Sequence, residues 1–295
     1  MTEVAAQAIV NGVVLGGLYA VVVLGFSLAW RVNGVINLAY GEFVMLGAYL
    51  TWALSSAGWL APLPALVVVI PVMFVVGLLV ERLLLRRVQV RPALVALLVT
   101  LGLSVVLQQG MRIAVSPTPH VVPLPLDGLW RIGPVNVAAG RAVLLLASLA
   151  IVVAVAAFLR ATRLGRSVRA VAQNPEAAQL IGIDVARVRT FTFALCTAVA
   201  GAAGCLVSQA QPIHPAMGPP LLLRALAVTA LAGPGQVAGG LAGGGGLGVV
   251  ESVISASVPR IGTNLGVIVA AVLLVVMLVA RRGSRPEPGR WRSVR

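Results

Sequence analysis

Long apolar runs recur from one end of the chain to the other, and they limit the fold more than any other feature. A helix needs about 20 apolar residues to cross the hydrocarbon core of a bilayer, so each run is a candidate span. Charged residues make up 10% of the chain, against about 25% in a typical soluble domain. The sequence therefore predicts an all-α fold, a polytopic transmembrane helical bundle.

The apolar runs predict about eight or nine spans. They cover residues 5–30, 35–56, 62–82, 93–111, 142–160, 189–210, 221–233, 237–257 and 264–280. The run 221–233 is short and is followed by Gly-Pro-Gly-Gln, so it is predicted to be a broken or re-entrant helix. Eight spans with a half-helix is therefore the alternative to nine full crossings.

The basic residues predict the orientation. All 22 are arginine, and they cluster in the loop after residue 82, in the segment 160–189 and in the tail. The positive-inside rule places these clusters in the cytoplasm, with the N-terminus outside and the C-terminus inside. The same rule accounts for the net charge of +14, so no nucleic-acid partner is predicted. The basic tail 283–295 is predicted to be disordered against anionic membrane lipid.

Several kinds of chemistry are not supported by the residue types present. Without lysine the chain has neither the lysine of a phosphate-binding loop nor a Schiff-base nucleophile. His120 and His214 stand beside prolines with no ligand at metal-binding spacing, so no metal site is predicted. Cys196 and Cys205 lie about 13 Å apart along one helix, too far for a disulfide. We therefore predict that the chain is not an enzyme.

The segment 160–189 interrupts the apolar pattern and carries its own helix signals. Asn174 suits an N-cap, Pro175 the first helical position and Glu176 the first turn, while Gly182 suits a C-terminal stop. These signals predict a short helix from Pro175 to Ile181, with Asp184 starting a helix into the next span. A short capped helix between two spans is suited to being held by a soluble partner.

Ionisable residues inside spans are costly in hydrocarbon and are therefore candidates for function. Glu81 is predicted to form a salt bridge at the membrane interface, and Arg224 to reach the outer interface or to pair with Glu251. The predicted lining of a polar pathway is Asn37, Tyr40, Glu42, Arg224 and Glu251. Glycines concentrate in the spans, above all in GGLAGGGGLG at 239–248, which predicts close helix packing or a gating helix. The proline-rich loop 111–141 is predicted to be external, as a cover, a docking site or a plain connection.

Two blocks of sequence resemble one family. They are NGVVLGGLYAVVVLGFSLAWRVNGVINLAYGEFVMLGAY at 11–49 and RAVAQNPEAAQLIGIDVARVRTFTFALCTAVAGAAG at 169–204, the second continuing to residue 252. In this order they resemble the permease subunits of bacterial ABC importers for branched-chain amino acids, the LivH type. The resemblance extends over about residues 11–282, and it departs from the family at Tyr40, where histidine is common.

The resemblance implies a bacterial inner-membrane permease domain at 1–282. Its implied partners are a second, related permease, two cytoplasmic ATPases and an extracytoplasmic binding protein. It implies no cofactor in this chain, because ATP and Mg would be bound by the ATPases. The substrates would be branched-chain amino acids or related small amides such as urea. The implied ATPase-coupling residues are Arg169, Asn174, Pro175, Glu176, Ala177, Ala178, Gly182 and Ile183.

The mechanism expected from this resemblance is alternating access driven by ATP hydrolysis in the partner subunits. One alternative is an ion-coupled secondary transporter of small zwitterionic solutes that uses Glu42 or Glu251 as its coupling acid. A second alternative is a membrane scaffold whose polar segment only docks a soluble protein.

Overall fold

The computed structural model describes residues 2–87, 93–115, 118–123, 128–132 and 135–257, together with 268, 271 and 272. Its helices confirm the predicted all-α class, to which the structure adds a short β-hairpin. The elements are α1 (Thr2–Asn33), α2 (Tyr40–Ser56), α3 (Leu66–Leu83), a 3-10 turn (Leu85–Arg87), α4 (Ala93–Ala114), β1 (Leu129–Ile132), β2 (Val135–Ala138), α5 (Ala139–Ala161), α6 (Arg163–Gln173), α7 (Pro175–Leu180), α8 (Val185–Val207), α9 (Gly218–Ala232) and α10 (Val237–Ser257).

In the described part of the chain, six helices are long and apolar enough to cross a membrane, namely α1, α3, α4, α5, α8 and α10. This confirms the polytopic bundle. The remaining two helices at predicted span positions, α2 and α9, have 17 and 15 residues. At about 1.5 Å per residue they fall short of a hydrocarbon core about 30 Å thick. The ninth predicted span, 264–280, lies almost wholly outside the described residues, and the tail 283–295 lies entirely outside them.

Helix α2 begins five residues later than the predicted span 35–56. Gly34 has a left-handed backbone, with φ of 73°, and its N–H donates to the Trp30 carbonyl, which ends α1. The Asn37 side chain then accepts a hydrogen bond of 3.0 Å from the Ala39 N–H. These two local features turn the chain before Tyr40, and they account for the shorter helix.

Helices α1 and α8 form the centre of the bundle. α1 packs against α10, α8, α5 and α9, while α8 also packs against α2 and α3. The apolar stretches of α1 and α8 are mostly buried, whereas few residues of α4 are fully buried. The contacts that join the other helices into one bundle are therefore made mainly by α1 and α8.

Small residues set the distance between the central helices. α1 and α10 meet through Gly12 and Gly16 on one side and Gly244 and Gly248 on the other. A Cβ atom added at Gly248 would lie 2.5 Å from the Cα of Gly16, so a side chain has no room there. Because apolar burial does not drive association inside lipid, such close backbone contact is a main source of attraction between helices. The structure thus confirms close packing for the predicted glycine-rich helix.

The predicted external loop 111–141 contains a β-hairpin and a strap. β1 and β2 pair antiparallel, with Leu129 opposite Ala138. Further upstream, His120 exchanges two backbone hydrogen bonds of 2.9 and 2.8 Å with Ile213, in the loop between α8 and α9. The His120 ring also stacks on Trp52 at 4.1 Å, near the end of α2. This part of the loop therefore contacts the ends of three helices, namely α2, α8 and α9.

We predict that Gly248→Ala destabilises the protein, because the new methyl group would push α10 away from Gly16. Overpacking of this kind costs about 1–3 kcal/mol, which corresponds to a fall of several degrees in the Tm of the detergent-purified protein. Gly246→Ala is the matched control, because a Cβ at Gly246 meets open space. An equal fall in Tm for both variants would contradict the packing role of Gly248.

Candidate functional site

A cavity of about 510 Å³ opens at the end of the bundle where α5 begins and where α8 and α10 end. Its volume lies within the range of about 300–1,000 Å³ that is usual for small-molecule sites. Its wall is partly apolar, from Val14, Leu15 and Leu144. The polar and charged lining residues are Asn11, Tyr19, Arg141, Gln209, Gln211, Arg224, Glu251, Ser252 and Ser255.

An ion pair between α9 and α10 lies in the wall of this cavity. Arg224 Nη2 is 2.7 Å from Glu251 Oε1, and Arg224 Nε donates to Glu251 Oε2 at 3.1 Å. The two side chains are 9% and 12% exposed. The guanidinium carbon also lies 5.3 Å from the centre of the Tyr19 ring on α1, within range of a cation–π contact. Side chains from three helices, α1, α9 and α10, therefore meet at one place in the cavity wall.

The structure tests one of the two predictions made for Arg224. The predicted pairing with Glu251 is confirmed, because a carboxylate on the next helix accepts hydrogen bonds from two guanidinium N–H groups. The reach of Arg224 to the outer interface stays a prediction.

The remaining polar groups around the cavity are only partly satisfied. Arg141 donates a hydrogen bond to the Asn11 side chain, and Ser252 donates to the Ala8 carbonyl at 2.7 Å. Gln209 donates through Nε2 to the Cys205 carbonyl at 2.9 Å. Its Oε1 is buried and has no hydrogen-bond partner within the described residues. A residue of the cavity wall therefore carries a buried hydrogen-bond acceptor that has no partner in the described residues.

Glu42 occupies a second buried site, which is separate from the cavity. Its carboxylate is 1% exposed and accepts a hydrogen bond of 3.0 Å from Ser104. It lies in the first turn of α2 and against Gly218, the first residue of α9, where a Cβ would come within 2.7 Å of Oε1. The carboxylate of Glu42 therefore lies beside the N-termini of two helices, α2 and α9.

Asn37 and Tyr40 lie near Glu42 in sequence, and neither lines the 510 Å³ cavity. Tyr40 is buried with its ring 5.5 Å from that of Phe26, and Asn37 forms the turn before α2. Among the five residues predicted to line a pathway, the structure thus brings Arg224 and Glu251 together at the cavity. It places the other three in packed surroundings.

The segment 160–189 has the predicted local structure. The Asn174 side chain accepts hydrogen bonds of 3.0 Å from the Glu176 and Ala177 N–H groups, and Pro175 is the first residue of α7. Gly182 has a φ of 85°, and Asp184 caps α8 by accepting from Arg187 N at 3.0 Å. The short helix, its stop and the restart at Asp184 are therefore confirmed.

Helix α6, directly before α7, was not predicted. It is amphipathic: Gly165, Val168 and Val171 are buried, while its arginines point outward. The Thr162 hydroxyl caps it by accepting from the Gly165 N–H at 2.9 Å. The arginine-rich pattern that indicated a loop is thus the exposed face of a helix that lies on the bundle.

Helix α7 presents an apolar tip to solvent. Ala178 is buried, whereas Leu180 and Ile181 are 89% and 75% exposed. The coupling residues named above are exposed at Arg169, Asn174, Glu176, Ala177 and Gly182, partly buried at Pro175 and Ile183, and buried at Ala178. Exposed large apolar side chains on an otherwise polar segment are typical of a contact with another protein.

The cavity and the surface helix lie at opposite ends of α1. Asn11, near the start of α1, lines the large cavity. Arg31, at its end, lines a smaller one of about 150 Å³ together with Arg160 and Arg169. Because α7 follows α6 directly, it belongs to this second, arginine-rich end.

Three features of these sites escaped prediction from the sequence. Tyr19 and Gln209 reach the cavity only through tertiary packing, and no local pattern distinguishes them from their neighbours. The exposed pair Leu180 and Ile181 had a usable signal, since two large aliphatic residues stand at the end of a polar segment.

A polytopic bundle with a charged cavity at one end and a capped surface helix at the other defines a multi-pass membrane protein of the permease class. The family described as branched-chain amino acid transport system / permease component matches residues 8–278. The chain belongs to this family, which confirms the resemblance found in the sequence.

Several relatives match over nearly the whole chain. The high-affinity branched-chain amino acid transport system permease protein LivH of Escherichia coli K12 is 30% identical over 297 residues, covering 95% of this chain and 96% of the relative. The permease protein BraD of Pseudomonas aeruginosa is 28% identical, covering 93% of each chain. The probable LivH of Methanocaldococcus jannaschii is 29% identical, covering 94% of this chain and 90% of the relative. No solved structure gives a significant match.

We predict that Arg224 and Glu251 are strongly coupled in stability. Arg224→Met or Glu251→Met alone leaves a buried charge without its partner, which costs about 3–5 kcal/mol. The double variant Arg224→Met/Glu251→Met removes both charges and should be more stable than either single variant. Thermal unfolding of the four proteins measures the coupling. Additive losses in the double variant would show that the pair is not a unit.

Proposed function

We propose that this chain is the permease subunit of an ATP-driven importer, and that it carries branched-chain amino acids across the inner membrane. Membership of the permease family supports the class, and the names of its relatives support the substrate. The structural observation behind ATP-driven transport is α7, a capped helix whose apolar tip is open to solvent at the arginine-rich end.

In this proposal α7 contacts one of two cytoplasmic ATPases, which bind ATP and Mg. Leu180 and Ile181 enter a groove on an ATPase, and Glu176 and Arg169 lie at the polar rim of that contact. The shape of the helix is fixed by Asn174, Pro175 and Gly182. The helix is held in position by Ala177, Ala178 and Ile183. A second, related permease completes the pathway, and a binding protein delivers substrate to the end that carries the 510 Å³ cavity.

Movement of α7 would be passed to the bundle through α8. Only a glycine turn and the Asp184 cap separate the two helices. α8 packs against α1, α2 and α3, and α1 packs against α9 and α10, which carry Arg224 and Glu251. A rigid-body shift of α8 would therefore reach the cavity through packed helices, as alternating access requires.

The remaining assignments follow from this arrangement. Residues 1–282 form the permease domain, with 160–189 as the coupling segment, 111–141 as an external loop and 283–295 as a basic tail. Glu42 braces α2 against the start of α9, together with Asn37 and Tyr40 in the same packed region.

The proposed orientation, with the N-terminus outside, can be tested by cysteine labelling in intact cells. The native cysteines Cys196 and Cys205 are buried and should give little background. Val121→Cys places a thiol at the external end, and Leu180→Cys places one on α7; both positions are well exposed. An impermeant maleimide should label the first variant in intact cells and the second only after permeabilisation. The reverse pattern would invert the proposed orientation.

We predict that Leu180→Ser/Ile181→Ser abolishes ATP-dependent leucine uptake and co-purification with the ATPases. These side chains make little contact within the chain, so the folded permease should keep its Tm and its amount in the membrane. Val121→Ser is the matched control, an exposed apolar residue of the opposite end, and should leave co-purification with the ATPases unchanged. Normal uptake by the double variant would remove α7 from the coupling role.

The same assay separates the proposal from an ion-coupled transporter. Uptake that persists without the ATPases and is abolished by an uncoupler would favour the ion-coupled alternative. In that case Glu42, with a buried carboxylate oxygen that has no partner in the described residues, would be the first candidate for the coupling acid.

A further inference from the structure

We propose that the Arg224–Glu251 pair is a binding site for the two charged groups of a zwitterionic α-amino acid. The amino acid enters the cavity by opening the pair. Its carboxylate takes the place of Glu251 on the guanidinium, and its ammonium takes the place of Arg224 on the carboxylate. This inference rests on the proposed function, in which the chain carries amino acids.

The first argument is the geometry of the pair. Arg224 contacts Glu251 through Nε and Nη2, so the guanidinium already holds a carboxylate with two hydrogen bonds. A substrate carboxylate has the same shape and charge, and it fits the same two donors. The pair lies in the wall of the 510 Å³ cavity and not in closed packing, so a solute in the cavity can reach it.

The second argument is charge balance. Separating the pair leaves one cation and one anion in surroundings where an unpaired charge is costly. A zwitterion supplies both opposite charges and compensates both. A solute with a carboxylate alone leaves Glu251 unpaired, and an amine alone leaves Arg224 unpaired. A neutral amide compensates neither. The pair therefore selects for two opposite charges on one small molecule.

The third argument is that neighbouring side chains support Arg224 and an aliphatic substrate. The Tyr19 ring lies 5.3 Å from the guanidinium carbon and can hold Arg224 in place when Glu251 moves away. Leu15 and Leu144 provide an apolar wall for an aliphatic side chain.

A cysteine reporter in the cavity tests the inference without relying on transport. Ser255 lines the cavity and is exposed, so Ser255→Cys gives a thiol near the pair without altering it. The full-length variant is studied in right-side-out membrane vesicles from which the soluble binding protein has been washed. The rate of labelling by an impermeant maleimide is then measured with leucine, isovalerate, isoamylamine or acetamide at equal concentrations.

We expect leucine to slow labelling by about tenfold when its concentration is ten times its Kd. Isovalerate lacks the ammonium group and the carbon that bears it, isoamylamine lacks the carboxylate and acetamide lacks both charged groups, so these three should protect little. Val121→Cys, away from the cavity, should be labelled at the same rate with and without leucine. Equal protection by isovalerate or by isoamylamine would overturn the inference, and so would protection by acetamide but not by leucine.

A second variant tests the charges themselves. Arg224→Gln/Glu251→Gln keeps polar side chains at both positions, leaves no unpaired charge and should reach the membrane in normal amounts. In the Ser255→Cys background it should lose protection by leucine, and retained protection would overturn the inference. ATP-dependent leucine uptake in the same vesicles, resupplied with binding protein, tests the proposed function separately. Uptake without protection would reject the inference alone, whereas protection together with uptake that needs no ATP would reject the proposed function alone.

Discussion

The backbone contact between α1 and α10 is the constraint on which the rest of the structure depends. Gly12 and Gly16 meet Gly244 and Gly248 with no side chains between them, so the two helices approach as closely as helices can. This approach brings Tyr19, one turn beyond Gly16, toward Glu251, which follows Gly248 on α10. Arg224 from α9 then completes the group. The position of the charged cavity is therefore fixed by residues that carry no functional group.

The two ends of the molecule differ in where their charged and apolar side chains lie. At the cavity, charge is placed inside the bundle, where it is tolerated because each charge has a partner. At the opposite end, the arginines are solvated and apolar side chains are exposed on α7. The paired charges thus lie inside the bundle, and the exposed apolar side chains lie on a polar surface. α8 and α1, the most buried helices, connect these two environments.

How much the sequence reveals depends on whether a feature is local. The cap at Asn174, the stop at Gly182 and the restart at Asp184 are set by residues a few positions apart, and all three were predictable. The start of α2 was misplaced because the apolar Val35 and Ile36 were counted as helix, whereas the turn at Asn37 delays the helix to Tyr40. The roles of Tyr19 and Gln209 arise from contacts between distant helices. A single sequence gives no pattern for such contacts, whereas the glycines of α10 at least indicated a close crossing.

The ion pair between Arg224 and Glu251 also affects how α9 and α10 can insert into the membrane during synthesis. Arg224 and Glu251 belong to consecutive helices, joined by a tight turn in which Gly233 and Gly235 both have positive φ. During synthesis each charge would oppose the entry of its own helix into lipid. As a hairpin, α9 and α10 can neutralise each other before they leave the insertion machinery. The short helix and the glycine-rich helix would then enter the membrane as one unit, with α1 already in place to receive them.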